Sequence, residues 1–281
     1  MQIDAHQHFW RLDRGDYAWL TPALAPIHRD FLPADLEPIL SRHSINATIL
    51  VQAAPTIAET LFLLSLAVAN SFIAGVVGWV DLTAGVPRQL AHLRSLPGGD
   101  KLAGIRHQVQ DEGDPHWLER DDVLAGIDCA GDAGLAYDLL VHARHLPSAE
   151  YAAKMLPHVR FVLDHGAKPP IAGGGSEAWR TGIARLAALP NVSCKLSGFI
   201  TEAVWATWRA AEILPYMRYL LESFGAHRMM YGSDWPVCLL AGTYDDVLTL
   251  AKDACSQLDA AESRAIFSEN AIRIYRLEGM Q

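Results

Sequence analysis

The sequence predicts a (β/α)8 barrel in one domain, on three observations. Eight short β-branched apolar runs recur along the chain, stretches of helical spacing separate them, and polar residues collect at the C-terminal ends of the runs. The runs are residues 2–5, 47–52, 73–80, 102–107, 136–141, 159–164, 192–196 and 228–232. Helical stretches between them include 34–42, 58–69, 121–133, 149–156, 177–189 and 213–224. A doubly wound open sheet has the same alternation. However, His6-Gln7-His8-Phe9-Trp10 follows the first run, where a dinucleotide-binding sheet needs a G-x-G-x-x-G turn. Gly173-Gly174-Gly175 lacks the Lys-Ser/Thr of a phosphate loop and reads as a flexible connection. Residues 9–33, rich in Trp, Tyr, Pro and charge, have no strong period; in a barrel they form the first βα loop, above the mouth. No linker, composition shift or repeat interrupts residues 1–281, which are therefore read as one barrel domain.

The 281 residues carry a formal charge of -9 and no run of Lys/Arg, so a phosphate backbone has nothing to hold and nucleic acid is not expected as a partner. No apolar run approaches the ~20 residues of a membrane span, and Asp4, His6 and His8 stand where a signal peptide would be apolar. Cys129, Cys194, Cys238 and Cys255 are widely spaced, without the paired spacing of a structural zinc site, and read as buried thiols of a reducing cytoplasm. Twelve His and eight Trp are about twice the usual share of each.

Taken strand by strand, the polar ends are His6 and His8 after the first run, Gln52 after the second, and Trp79 and Asp81 on the third. Arg106 and His107 follow on the fourth, His142 and His145 after the fifth, Asp164 and His165 on the sixth, Lys195 on the seventh and Asp234 after the eighth. A parallel barrel opens all eight ends on one face, so these residues converge. His6 and His8 lie two apart on an extended chain and share a side. They are either a hydrogen-bonded pair or, with His165 and Asp234, a three-nitrogen, one-carboxylate set suited to one Zn2+ or similar ion.

Asp234, in Tyr231-Gly232-Ser233-Asp234-Trp235-Pro236, is either a helix cap or a carboxylate kept ionised to take a proton from water. Arg106, His107 and Lys195 are either ion-paired or aimed at an oxygen that gains negative charge during attack. His142 and His145 can donate a proton or contact a substrate. Trp10, Tyr17, Trp19, Trp79 and Trp235 flank the strand ends and suit the apolar face of a sugar ring, or the core. Trp10 is expected over the mouth, against substrate, or else as a plug at the end of the first strand.

Five segments in order, Ile3-Asp4-Ala5-His6-Gln7-His8-Phe9-Trp10, Gly104-Ile105-Arg106-His107, Phe161 to Pro169, Asn191 to Gly198 and Met230 to Pro236, resemble the lactonase branch of the amidohydrolase superfamily. Within it the chain is most similar to sugar-lactone hydrolases, the L-fuconolactonases and L-rhamnonolactonases. The resemblance implies a distorted barrel, a mononuclear divalent site around His6, His8 and His165, and Asp234 as the water-activating base. It implies hydrolysis of an aldonolactone such as L-fucono-1,5-lactone, with the ion dispensable in some members, where the imidazoles bind the lactone directly. His107 and His142 are the nearest candidates for a second metal. Substrate contacts are expected from Trp10, Gln52, Trp79, His142, Lys195 and Trp235, and oxyanion contacts from Arg106, His107 or Lys195. Relatives that open pyrone dicarboxylates or decarboxylate aromatic acids give alternative substrates; decarboxylation would want two arginines in the pocket. A non-catalytic sugar-acid binder is the rival from another class. The sequence leaves the oligomeric state open.

Overall fold

The computed structural model describes residues 1–277. Eight strands, β1 (Ile3–Gln7), β2 (Ala47–Val51), β3 (Ile73–Gly78), β4 (Leu102–His107), β5 (Ala136–Leu139), β6 (Arg160–Leu163), β7 (Val192–Leu196) and β8 (Met229–Tyr231), lie parallel in sequence order. Between them run α1 (Pro33–His43), α2 (Ile57–Ala69), α3 (Val86–Arg94), α4 (Asp121–Asp132), α5 (Leu146–Met155), α6 (Glu177–Ala187) and α7 (Ala210–Phe224). Beyond β8 come α8 (Tyr244–Ala254), α9 (Ala260–Arg264) and α10 (Asn270–Tyr275). Strands covered on both sides are buried along almost their whole length; β2 (ATILV) accordingly reads as a nearly unbroken apolar run, whereas β1 (IDAHQ) and β7 (VSCKL) carry buried polar residues. Helix starts carry local signals. Thr56 caps α2 through the Glu59 amide, and Pro147 lets α5 begin at Leu146, three residues before the apolar period does.

Closure between β8 and β1 is made by the segment after β8 rather than by a regular ladder. The Asp234 amide donates to the His6 carbonyl at 2.8 Å, and the His8 amide to the Trp235 carbonyl at 2.7 Å. Gly232 permits this approach, because a Cβ there would meet the His6 Cβ at 2.7 Å. The β1–β2 register shifts between Asp4 and Gln7, an irregularity just where the H-x-H pair leaves the strand.

The main core fills the layer between strands and helices. A second cluster joins Ala5, Ala47, Val77 and Ala136 of the strands to Ile274, Tyr275 and Leu277. Small strand residues leave room for this C-terminal segment: a Cβ on Gly75 would lie 3.0 Å from Leu277, and one on Gly104 3.4 Å from the Tyr275 ring. The loop of residues 9–33 folds back on itself through paired backbone bonds of Trp10 and Phe31, and is fastened by Tyr17 to Glu59 and by Trp19 to the Ala53 carbonyl. All four cysteines are free, and no helix among the described residues is long and apolar enough to cross a membrane.

Candidate active site

At the C-terminal ends of the strands is a cavity of about 280 Å3. Its floor carries His8, Arg106, His165 and Asp234. Trp19 and Leu24 of the first loop, Gln108, Gln110 and Asp111 after β4, Lys168 after β6, and Thr201, Glu202 and Trp205 after β7 form its wall. Asp234 Oδ1 lies 3.4 Å from His8 Nε2, 3.7 Å from His6 Nε2 and 3.9 Å from His165 Nε2, and the first two nitrogens are 3.1 Å apart. Ligands on ~2.0–2.1 Å arms around a tetrahedral zinc are separated by roughly 3.3 Å, so these spacings match the edges of such a site.

The other ring nitrogens fix how the donors point. His8 Nδ1 faces the Val51 carbonyl at 2.7 Å, which can only accept, so Nδ1 carries the hydrogen and Nε2 turns to the cavity. His165 Nδ1 meets the Ser197 hydroxyl at 2.9 Å. Gly198 leaves room for that imidazole, because a Cβ there would lie 2.5 Å from His165 Nδ1. Asp234 and His165 both sit at positive φ, 56° and 54°, a backbone state that costs energy in a non-glycine residue and concentrates at functional sites.

Burial pulls His6 well below the ordinary imidazole range and His165 down to about 4, against the attraction of nearby carboxylates. For Asp234 burial works the other way, but His165, a hydrogen bond from His8, and His6 outweigh it and hold the carboxylate below its usual range. At neutral pH His6 and His165 are thus uncharged and Asp234 is ionised, the state in which they offer lone pairs to a cation. The donor set therefore fits one divalent ion.

Beneath the floor lies a buried ionic network. Lys195 Nζ is 2.5 Å from Asp138, 2.9 Å from Asp164 and 3.2 Å from His6 Nδ1. Tyr275 of α10 donates to Asp138 at 2.8 Å. Arg106 donates to Asp164 at 2.9 Å and to the Gln52 carbonyl. Burial pushes Asp138 up to about 6 in spite of Lys195, whereas Lys195, His6 and Arg106 together overcome burial at Asp164 and hold it well below the usual range. Asp4 accepts from the His6 and Ser233 amides and from Tyr244, which ties β1 to the segment bearing Asp234.

The amidohydrolase family profile matches residues 3–277. The chain belongs to the amidohydrolase family. It is similar to an L-fucono-1,5-lactonase of Burkholderia ambifaria, 43% identical over 99% of this chain and 96% of that protein. An L-fucono-1,5-lactonase of Burkholderia multivorans is 41% identical over the same shares. A crystal structure of an amidohydrolase from Burkholderia multivorans with bound zinc superposes at a TM-score of 0.93, with 40% identity and 99% of both chains covered.

In this amidohydrolase the predicted set His6, His8, His165 and Asp234 comes together, with Arg106 beside it. Other expected contacts do not reach the cavity. His107 and Trp79 point elsewhere: alternation along β4 sends Arg106 to the cavity and His107 away from it, stacked on Trp117, bonded to Glu112 and accepting from Trp79. Lys195 is fully buried under His6, and Gln52, also fully buried, donates from its amide nitrogen to the Arg106 carbonyl and does not line the cavity. Trp10 and Trp235 are core residues packed on Phe31, so Trp10 is the plug rather than the lid. His142 is not among the described residues that line the cavity, and neither it nor His107 joins the cluster of His6, His8, His165 and Asp234. Sequence reasoning missed Gln108, Lys168, Glu202 and Trp205 on the wall. Lys168, Glu202 and Trp205 sit in connections where no periodicity marks a facing side. Two had a signal: Gln108 lies two residues after Arg106 and shares its side by strand alternation, and Lys168 is three residues after His165 in one polar segment.

Proposed function

We propose that this chain hydrolyses a sugar lactone, L-fucono-1,5-lactone or a close stereochemical relative, to the sugar acid. One observation carries the reading: an ionised carboxylate, Asp234, faces one small cavity with His8 and His165, the buried His6 stands 3.7 Å from it, and the chain aligns end to end with two L-fucono-1,5-lactonases. His6, His8 and His165 would hold the ion, with Asp234 adjoining, and zinc suits this nitrogen-rich set. When bound, the ion polarises the ring carbonyl and makes water more acidic.

The chain's own residues do the rest. Asp234 takes a proton from water as its oxygen bonds to the lactone carbonyl carbon, and Arg106, a cation on the cavity floor, stabilises the oxyanion. The ring C–O bond then breaks, and the carboxylic acid of Asp234 returns its proton to the departing ring oxygen. No Ser or Cys nucleophile is needed. Among the described residues Arg106 is the one arginine on the cavity lining, which favours a neutral lactone over an aromatic carboxylate. A reducing cytoplasm suits the four free cysteines. A panel of 1,4- and 1,5-aldonolactones, followed by acid release with a pH indicator, tests the proposal. The expected result is preferential opening of the L-fuco-configured lactone without release of CO2; no turnover across the panel would refute it.

A further inference from the structure

Around the floor the cations are held by partners of the chain itself: Arg106 by Asp164 and the Gln52 carbonyl, with its Nε left without one, and Lys195 by Asp138 and Asp164. On the cavity wall the exposed Asp111 and the half-buried pair Lys168 and Glu202 are not, and the pair is the one in which opposite charges adjoin. Lys168 Nζ and Glu202 Oε1 stand 3.9 Å apart, beyond hydrogen-bond reach, and neither side chain has a hydrogen bond to another described residue. Their side chains are only 21% and 22% exposed, so what capacity they retain faces the cavity.

Their placement is enforced by the backbone. Residues 165–168 have φ of 54°, 54°, 60° and 49°, a full left-handed turn in which only Gly166 is glycine. Such turns are costly for L-residues and persist only where surroundings dictate them. Here the Lys168 amide donates to the His165 carbonyl at 2.9 Å, Trp179 donates to the Gly166 carbonyl at 2.8 Å, and Leu220 packs where a Gly166 Cβ would stand. One turn on from His165, the chain delivers a second cavity-facing side chain, Lys168. The Ala172 amide donates to the Glu202 carbonyl at 3.0 Å and ties the two loops together. Trp205, 42% exposed, stands on the same wall and is bonded through Nε1 to the Thr201 carbonyl. A loose ion pair contributes too little stability to explain this turn.

We propose that Lys168 and Glu202 select the substrate by its hydroxyls: the ammonium donates to one hydroxyl oxygen of the ring, the carboxylate accepts from a neighbouring hydroxyl, and Trp205 covers the apolar ring face. This rests on the sugar-lactone reading and adds to it the residues that tell a sugar lactone from a bare one. The test is the ratio of kcat/KM for L-fucono-1,5-lactone to that for δ-valerolactone, the same ring without hydroxyls, in the wild type, Lys168→Met, Glu202→Gln and Lys168→Arg. Lys168→Met and Glu202→Gln should each lower the ratio about 10- to 100-fold, as expected when hydrogen bonds to charged groups are lost. Lys168→Arg, which keeps the cation, should hold the ratio well above that of Lys168→Met. A ratio moved less than twofold in Lys168→Met and Glu202→Gln, whether both rates fall together or neither does, overturns the proposal. Should the wild type open neither lactone, the functional reading fails and binding of L-fucose, read by tryptophan fluorescence, decides the pair alone. Binding weakened at least tenfold in both variants then supports it, and equal or absent binding overturns it.

Discussion

Replacing Lys195 by methionine separates two roles a strand-end lysine can have. Its ammonium is fully buried, 2.5 Å from Asp138 and 2.9 Å from Asp164, so the substitution strands two carboxylates in the barrel interior. Removing one partner of a buried ionic set costs about 3–5 kcal/mol. At ~2–4 °C per kcal/mol for a chain of this size, the melting temperature should fall by roughly 6–20 °C. The defect should be pH-dependent. Burial already pushes Asp138 up to about 6 with the lysine present. Without it the carboxylates protonate more readily, so the gap to wild type narrows as pH falls from 8 to 5 and widens as pH rises. Differential scanning fluorimetry of both proteins across that range measures it. A variant with wild-type melting temperature and a kcat lowered ~100-fold would refute the reasoning and make Lys195 a direct contact of the oxyanion.

Trp10→Ala should lower stability by about 3–5 kcal/mol with KM little changed, because the ring is fully buried against Phe31, while Trp19→Ala, on the cavity wall, should raise KM; kinetics and melting of the two variants check this. Metal-free protein titrated with zinc should bind about one ion per chain, and His8→Ala should weaken this at least tenfold; equal affinity in calorimetry would remove His8 from the donor set. Glu59, which fastens the first loop through Tyr17 and the Ala53 amide, is pushed by burial from 4.5 to about 7. A raised carboxylate penalises the folded state above its folded value and is relieved as pH falls toward the unfolded one. Glu59→Gln should therefore gain relative to wild type by up to roughly 3 kcal/mol on going from pH 4.5 to pH 7.5, and pH-resolved urea unfolding would expose a flat difference if this is wrong.

The barrel was legible because parallel strands covered on both faces must be apolar, and because their ends must carry the polar residues that such strands exclude. His6, His8, His165 and Asp234 followed from that rule. The same rule counted too many: it took Arg106 and His107 together, although neighbours on a strand face opposite ways and only Arg106 reaches the cavity. For Lys195, burial depth decides between substrate contact and support, and that depth depends on Asp138, Asp164 and Tyr275 arriving from three other elements. Trp10 and Trp19 carry the same aromatic signal, and only the fold of the first loop puts one in the core and the other on the wall. Lys168 and Glu202 owe their placement to loop backbone, above all the left-handed turn at 165–168, which propensities do not encode.

The most direct test of the account is the rate of L-fucono-1,5-lactone opening by Asp234→Asn beside wild type, each corrected for the uncatalysed reaction, with circular dichroism to verify the fold. Asparagine keeps the shape and cannot accept the proton from water, so kcat/KM should fall by about 100- to 10,000-fold in a folded protein. A folded Asp234→Asn enzyme within tenfold of wild type would contradict the assignment of Asp234 as the base.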